Sequence, residues 1–173
     1  LVVEARKTPQ LENKTLAQIA EEQGKEPMDA YCDLLLENDG IAQGVYFTQV
    51  PSDMIRLMAD SRVFCGSDWS DFAAPVDPNT EGGSHPRAVS TTVRRLELVR
   101  DFRLRTMEES IKNITYDTAQ AMGLTGIGLL KEGWPADIAV IDYDALHARA
   151  DFVHPYRRND GVHYVLVSGP VAS

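Results

Sequence analysis

Arg62-Val63-Phe64-Cys65-Gly66-Ser67-Asp68 is the stretch on which the fold turns. Its three central residues are apolar without alternation, bounded by Arg62 and by Gly66-Ser67-Asp68. A strand with one wet face alternates polar and apolar residues. A short run that is apolar throughout fits a strand covered on both faces, as in parallel sheets flanked by helices. Asp68 follows this expected strand directly. In parallel α/β folds the side chains just past strand C-termini line the active site. A carboxylate there is a candidate general base or metal ligand. The structural alternative is an Asp that accepts backbone N–H groups in its own turn, and spacing alone does not separate the two.

Upstream, helices and strands alternate. Thr15-Leu16-Ala17-Gln18 has capping-box spacing, Leu16, Ile19 and Ala20 give an apolar face, and Gly24 provides a stop. Pro27 suits the first turn of a second helix, with Met28, Tyr31, Cys32, Leu35 and Leu36 as its buried stripe and Asn38-Asp39-Gly40 as its end. Gly44–Val50 is β-branched and aromatic and reads as a strand. Ser52 reads as the cap of a helix reaching Asp60, with Met54, Ile55 and Met58 inward. The order helix, helix, strand, helix, strand points to βα units.

Downstream, residues 67–90 carry Pro75, Pro78, Gly82, Gly83 and Pro86 and read as a long functional loop. His85-Pro86-Arg87 closes it. Arg87 offers a planar fork of donors matched to a carboxylate, and His85 could ligate or shuttle a proton; the alternative is an ordinary polar surface loop. Helical pattern resumes near Thr91 (Val93, Leu96, Val99, Phe102). A second capping box at Thr106–Glu109 opens a helix with Ile111, Ile114 and Ala119 that ends at Gly123. Arg94, Arg95, Arg100, Arg103 and Arg105, interleaved with Glu97 and Asp101, read as a solvated helix with local ion pairs, with an anion site as the alternative. From Thr125 the texture changes: Gly126, Gly128, Gly133 and Pro135 punctuate two strands, Ile138–Ile141 and His163–Val167. This divides the chain into residues 1–124 and a small β segment, 125–173. Gly126-x-Gly128 lacks the strand–helix context of a dinucleotide site. His147, His154 and His163 show no metal-ligand spacing and read as structural.

The 173 residues carry 17 basic and 26 acidic side chains, a net charge of −9. That balance argues against nucleic acid and anionic membrane as partners. No apolar run approaches the ~18 residues of a membrane span. Cys32 and Cys65 lie in apolar sequence and are expected to be buried, reduced thiols of a cytoplasmic protein. The chain opens on Leu1-Val2-Val3 without Met and is expected to be a share of something longer.

Taken together, Gly66-Ser67-Asp68, His85-Pro86-Arg87, Thr115 with Ala119 and Gly123-Leu124, and the run Gly126-Ile127-Gly128-Leu129-Leu130-Lys131-Glu132-Gly133-x-x-Ala136-Asp137-Ile138-Ala139-Val140-Ile141-Asp142 resemble the C-terminal third of the amidohydrolase superfamily. The pairing of G-S-D with H-P-R, the Thr15–Ala20 segment and the Phe152–Arg157 stretch are similar to the N-acyl-D-amino-acid deacylase (D-aminoacylase) branch. The resemblance covers nearly the whole chain. It implies an α/β fold: the C-terminal part of a metal-dependent hydrolase (β/α)₈ TIM barrel over residues 1–124, plus an incomplete share of a small β-sandwich over 125–173. It implies deacylation of N-acyl-D-amino acids, with zinc or another divalent metal. Asp68 would be the general base at the end of the eighth strand and a possible metal ligand. Arg87 would bind the substrate α-carboxylate, with Ser67, His85 and Tyr46 shaping the pocket. The family's other metal ligands lie on segments this chain lacks, so the isolated chain is expected to be inactive and not to retain metal.

The resemblance is broken at Trp69, where the family carries Gly, and at Ala88–Arg94, where it carries an aromatic-Gly-Thr run. Two other readings are open: a cyclic-amide amidohydrolase of the dihydroorotase or hydantoinase kind, and a non-catalytic association module. Exposed barrel edges would favour homo-oligomers.

Overall fold

A computed structural model describes residues 1–69, 76–81 and 84–171. Pro75, Gly82 and Gly83 of the expected long loop lie outside the described residues. The chain forms two compact units. The first comprises Leu1–Thr48, the described part of Ser70–Ala88, and Ala150–Arg157. The second comprises Gln49–Trp69, Val89–Arg149 and the described part of Arg158–Ser173.

The first unit opens with β1 (Val2–Glu4), passes through a 3₁₀ turn at Pro9–Leu11, and continues with α1 (Leu16–Gln23), α2 (Pro27–Glu37) and β2 (Gln43–Gly44). β1 and β2 pair antiparallel. Both halves of the expected capping box form: the Thr15 hydroxyl accepts from the Gln18 N–H at 3.2 Å, and Gln18 Oε1 accepts from the Thr15 N–H at 2.8 Å. Gly24 ends α1 at φ 62°, the left-handed conformation that costs an L-residue strain. Val2, Ala5, Leu11, Ile19, Ala20, Ala30 and Leu34 form the core. Asn38 holds the α2 end to the β1 side: its Oδ1 accepts from the Lys7 N–H at 2.9 Å, and its Nδ2 donates to Thr8 Oγ1 at 2.8 Å and to the Leu34 carbonyl at 2.9 Å.

Two expectations change here. α2 buries Ala30 and Leu34, while Met28, Cys32 and Leu36 are exposed. The face toward α1 and β1 is the narrow 30/34 edge of the apolar stripe. Cys32 is thus an exposed thiol and Cys65 a half-buried one, both free of disulfides.

The second unit holds α3 (Pro51–Ala59), most of α4 (Arg87–Asp101), α5 (Met107–Lys112), a π-turn at Asn113–Asp117, α6 (Thr118–Ala121), β3 (Ile138–Ile141) and β4 (Val162–Leu166). Both sides of the 124/125 change of texture lie in this unit. α3 starts at Pro51 with Val50 as its N-cap rather than at a Ser52 cap, because Pro at the first helical position lacks only an N–H that would be orphaned anyway. Ile55 and Met58 are half-buried and Met54 is exposed; α3 buries no residue fully. α4 begins four residues earlier than expected, directly after Pro86. The second capping box forms, Thr106 Oγ1 accepting from the Glu109 N–H at 3.2 Å. Val93, Leu96 and Leu146 are the core, with Ile111, Ile114, Ile141 and Val162 packed on it.

β3 and β4 pair antiparallel with Ala139 opposite Val165 and Val140 opposite Tyr164. Arg100 ties α4 to the turn after β3: its Nη1 donates to the carbonyls of Tyr143, Asp144 and Leu146 at 2.8–3.0 Å. Gly128 is fixed by close approach. At φ 87° a Cβ there would lie 2.8 Å from Tyr116 Cα, so this glycine serves the π-turn and not a phosphate.

The expected strands at 44–50 and 63–65 have no ladder beyond β2 among the described residues. A strand covered on both faces needs hydrogen-bonded neighbours; the described chain supplies no ladder for 63–65, and for 44–50 only the pairing of Gly44 with Val2 and of Val45 with Leu1.

Candidate active site

Asp68 is reached through a segment that the second unit anchors at residues 60–62. Asp60 chelates the residue two ahead: Oδ1 accepts from the Arg62 N–H at 2.9 Å and from Nε at 3.0 Å, and Oδ2 from Nη2 at 2.6 Å. These hydrogen bonds from Arg62 hold the Asp60 carboxyl far below the ordinary carboxylate range. Asn113, 1% exposed, donates from Nδ2 to the Ser61 carbonyl at 2.9 Å and accepts Arg95 Nη2 on Oδ1 at 2.7 Å. The π-turn therefore brings an amide out of the helical register to fasten the stretch before Val63. Burial pushes the Cys65 thiol up in pKa, opposed by the charge of Arg95.

Asp68 itself has φ 50°. Asp and Asn enter the left-handed region more readily than other non-glycine residues, at a cost of order 1 kcal/mol. Ser67 is half-buried, and Asp68 and Trp69 are exposed.

Tyr46, His85 and Arg87 belong to the first unit, Ser67 and Asp68 to the second. Within the first unit His85 is built into an aromatic wall. Its ring meets Phe152 edge-on at 5.0 Å between centroids, and Phe152 meets Phe47 edge-on at 5.1 Å. His85 Nδ1 accepts the Arg87 backbone N–H at 3.0 Å. That bond fixes the neutral tautomer with the proton on Nε2. Burial, then the charge of Arg87, lowers the pKa of His85. Next to it Ser84 is 4% exposed, and its Oγ makes no hydrogen bond among the described residues. Tyr46 is exposed and not part of this wall as the described contacts give it.

The arginine run departs from its expected character. Arg94 and Arg100 do form the local pairs, with Glu97 at 2.9 Å and Asp101 at 2.8 Å. Yet Arg95 is 3% exposed and Glu97 5%. Glu97 also accepts His147 Nδ1 at 2.6 Å. Burial works against its charge, but the hydrogen bonds from His147 and Arg94 outweigh it and hold the carboxyl below its ordinary value. The signal for Arg95 was present in the sequence: it stands four residues before Val99 and beside Leu96, on the buried side of a 3.6-residue period. Phe47 and Phe152 gave no such signal, because their contact links residues a hundred positions apart.

An apolar cavity of about 1240 Å³ opens in the second unit, lined among others by Leu96, Ile111, Ile127, Leu129, Ile138 and Val165. None of the candidate residues lines it. Among the described residues no three His, Cys, Asp or Glu side chains are grouped to hold a metal ion. Asp68 alone makes no metal centre.

The whole chain matches known proteins. The amidohydrolase family model matches residues 3–172. The D-aminoacylase of Alcaligenes xylosoxydans xylosoxydans is 33% identical over 162 residues, which are 93% of this chain and 31% of that protein. A crystal structure of D-aminoacylase superposes with a TM-score of 0.80 at 29% identity, over 99% of this chain and 34% of that one. The N-acyl-D-glutamate deacylase of Bordetella bronchiseptica, solved with zinc and a phosphonate inhibitor, gives 0.81 at 26% identity over 98% and 33%. The chain spans about a third of the length of these relatives. Its fold class is α/β, a share of the amidohydrolase TIM-barrel architecture. The chain belongs to the amidohydrolase family.

Proposed function

We propose that the polypeptide containing this chain hydrolyses the amide bond of N-acyl-D-amino acids, releasing a carboxylate and the free D-amino acid. The observation that carries this reading is the similarity to D-aminoacylase along 93% of the chain. In the proposed reaction Asp68 takes a proton from the attacking water as the new C–O bond forms, and returns it to the nitrogen as the C–N bond breaks. Arg87 holds the substrate α-carboxylate with its guanidinium fork. Ser67 and Tyr46 shape the pocket, and His85, neutral and with its proton on Nε2, offers a hydrogen-bond donor there. The relatives solved with zinc support a divalent metal in the parent. Asp68 is a possible ligand and the others would come from segments outside this chain, and the isolated 173-residue chain is proposed to be inactive.

The test is release of free amino acid from N-acetyl-D-amino acids by the full-length polypeptide, with L-enantiomers, hydantoins and dihydroorotate as comparisons. Turnover of the D-amides supports the reading. Turnover confined to the cyclic amides replaces it with the cyclic-amide chemistry, and no turnover of any amide favours a non-catalytic role.

A further inference from the structure

At the buried end of the arginine run, Arg95 has no carboxylate ion-pair partner among the described residues. Arg95 is 3% exposed, and among the described residues its one hydrogen bond is from Nη2 to the neutral Asn113 Oδ1 at 2.7 Å. Arg105, just past the end of α4, is close enough for its charge to act on Arg95. Its Nη2 is buried and has no hydrogen-bond partner among the described residues. Two neighbouring carboxylates among the described residues, Asp60 and Glu97, have other partners. Asp60 feels Arg105, but both its oxygens are held by Arg62. Glu97 is held by Arg94 and His147. Asn113 gives its amide N–H to Ser61. A guanidinium taken out of water without a counter-charge is strongly unfavourable, and a second beside it makes the site worse. A buried guanidinium with no carboxylate within ion-pair distance among the described residues, and a second with a buried N–H that has no partner there, are the recognition chemistry of an oxyanion.

We propose that Arg95 and Arg105 form the seat of a carboxylate. The carboxylate is either a free small anion or an Asp or Glu side chain of the same polypeptide outside residues 1–173. The proposal does not depend on the deacylase reading.

The experiment uses the full-length polypeptide. Its melting temperature is followed with sodium acetate and with sodium chloride at equal ionic strength, for the natural sequence, Arg95→Met and Arg105→Met. Arg105→Met is included because Arg105 is only half-buried and its loss is compatible with folding. A free anion raises the melting temperature saturably in acetate alone, by roughly 5 °C at a hundredfold excess over its Kd, and either substitution abolishes the rise. A side-chain carboxylate gives no acetate response, and a crystal structure of the same polypeptide then shows an Asp or Glu oxygen within 4 Å of the Arg95 or Arg105 guanidinium. The proposal is overturned if acetate has no effect and no carboxylate touches either guanidinium. It is equally overturned if the acetate response survives both substitutions.

Discussion

Asp68 combines a proposed chemical role with a backbone conformation few residues adopt, and the two are separable by substitution. Asn tolerates φ near +50° as Asp does, so Asp68→Asn keeps the turn and removes the base. Turnover by the full-length polypeptide should fall by about 10²–10⁴-fold with little change in melting temperature. A loss of stability matching the loss of activity would return Asp68 to a purely structural role. Arg87→Ala should chiefly raise KM for substrates with a free α-carboxylate and leave carboxylate-free analogues nearly unchanged. For His85 the sign of the pH effect follows from its surroundings. Its folded-state pKa lies below the ordinary value of about 6.5, so between the two the unfolded chain binds more protons. His85 therefore lowers stability progressively as pH falls from about 6.5 toward the folded pKa, and has no such effect above that window. An NMR titration should place its midpoint below 6.5, and Phe152→Ala, which opens the wall over the ring, should move it up. How much was legible differs residue by residue. Asp68, His85 and Arg87 stand in recognisable positions, after a short apolar run and at the close of a loop. Phe152 contributes through a contact between distant segments, and no local pattern encodes that.

At the scale of elements, the legible features were those whose physics is contained within one turn. Both capping boxes, Thr15–Gln18 and Thr106–Glu109, form as their spacing requires. Thr15→Ala and Thr106→Ala should each cost about 1 kcal/mol in chemical denaturation. Gly128→Ala should cost more, because it adds left-handed strain to a Cβ that would lie 2.8 Å from the Tyr116 backbone. If Gly128→Ala proves neutral, the close packing of this turn on the π-turn is wrong. β3 was also legible, since Ile138–Ile141 is a continuous apolar run after a turn-rich stretch. The 44–50 and 63–65 strands were not resolved as ladders, because a ladder belongs to two segments and the sequence of one does not supply the other. The buried faces of α2 and α3 were read too wide for the same reason: periodicity shows which residues could be covered, and only packing shows which are.

For the molecule as a whole, those uncovered faces are the main unsettled energy. On α2, Leu36 is 77% exposed, with Met28 beside it on the apolar stripe; on α3, Leu57 and Met54 are exposed; the Leu129-Leu130 stretch adds another apolar surface. Burying a large apolar side chain is worth roughly 1.5–3 kcal/mol. Six such residues represent on the order of 10 kcal/mol, comparable to the entire stability of a typical domain. Large apolar side chains left exposed on several elements favour contact with a partner surface. The 173-residue chain on its own is therefore expected to self-associate, despite a net charge of −9 that opposes it. Sedimentation velocity over a tenfold concentration range should show a rising average mass. Added salt, which screens the like charges, should strengthen the association. Replacing Leu36 and Leu57 together by Glu should shift the distribution toward monomer without lowering the melting temperature, since neither side chain is buried in its own unit. A monodisperse monomer of the natural sequence at all concentrations would mean that these faces are tolerated by water as they stand, and the case for oligomer formation through them would fail.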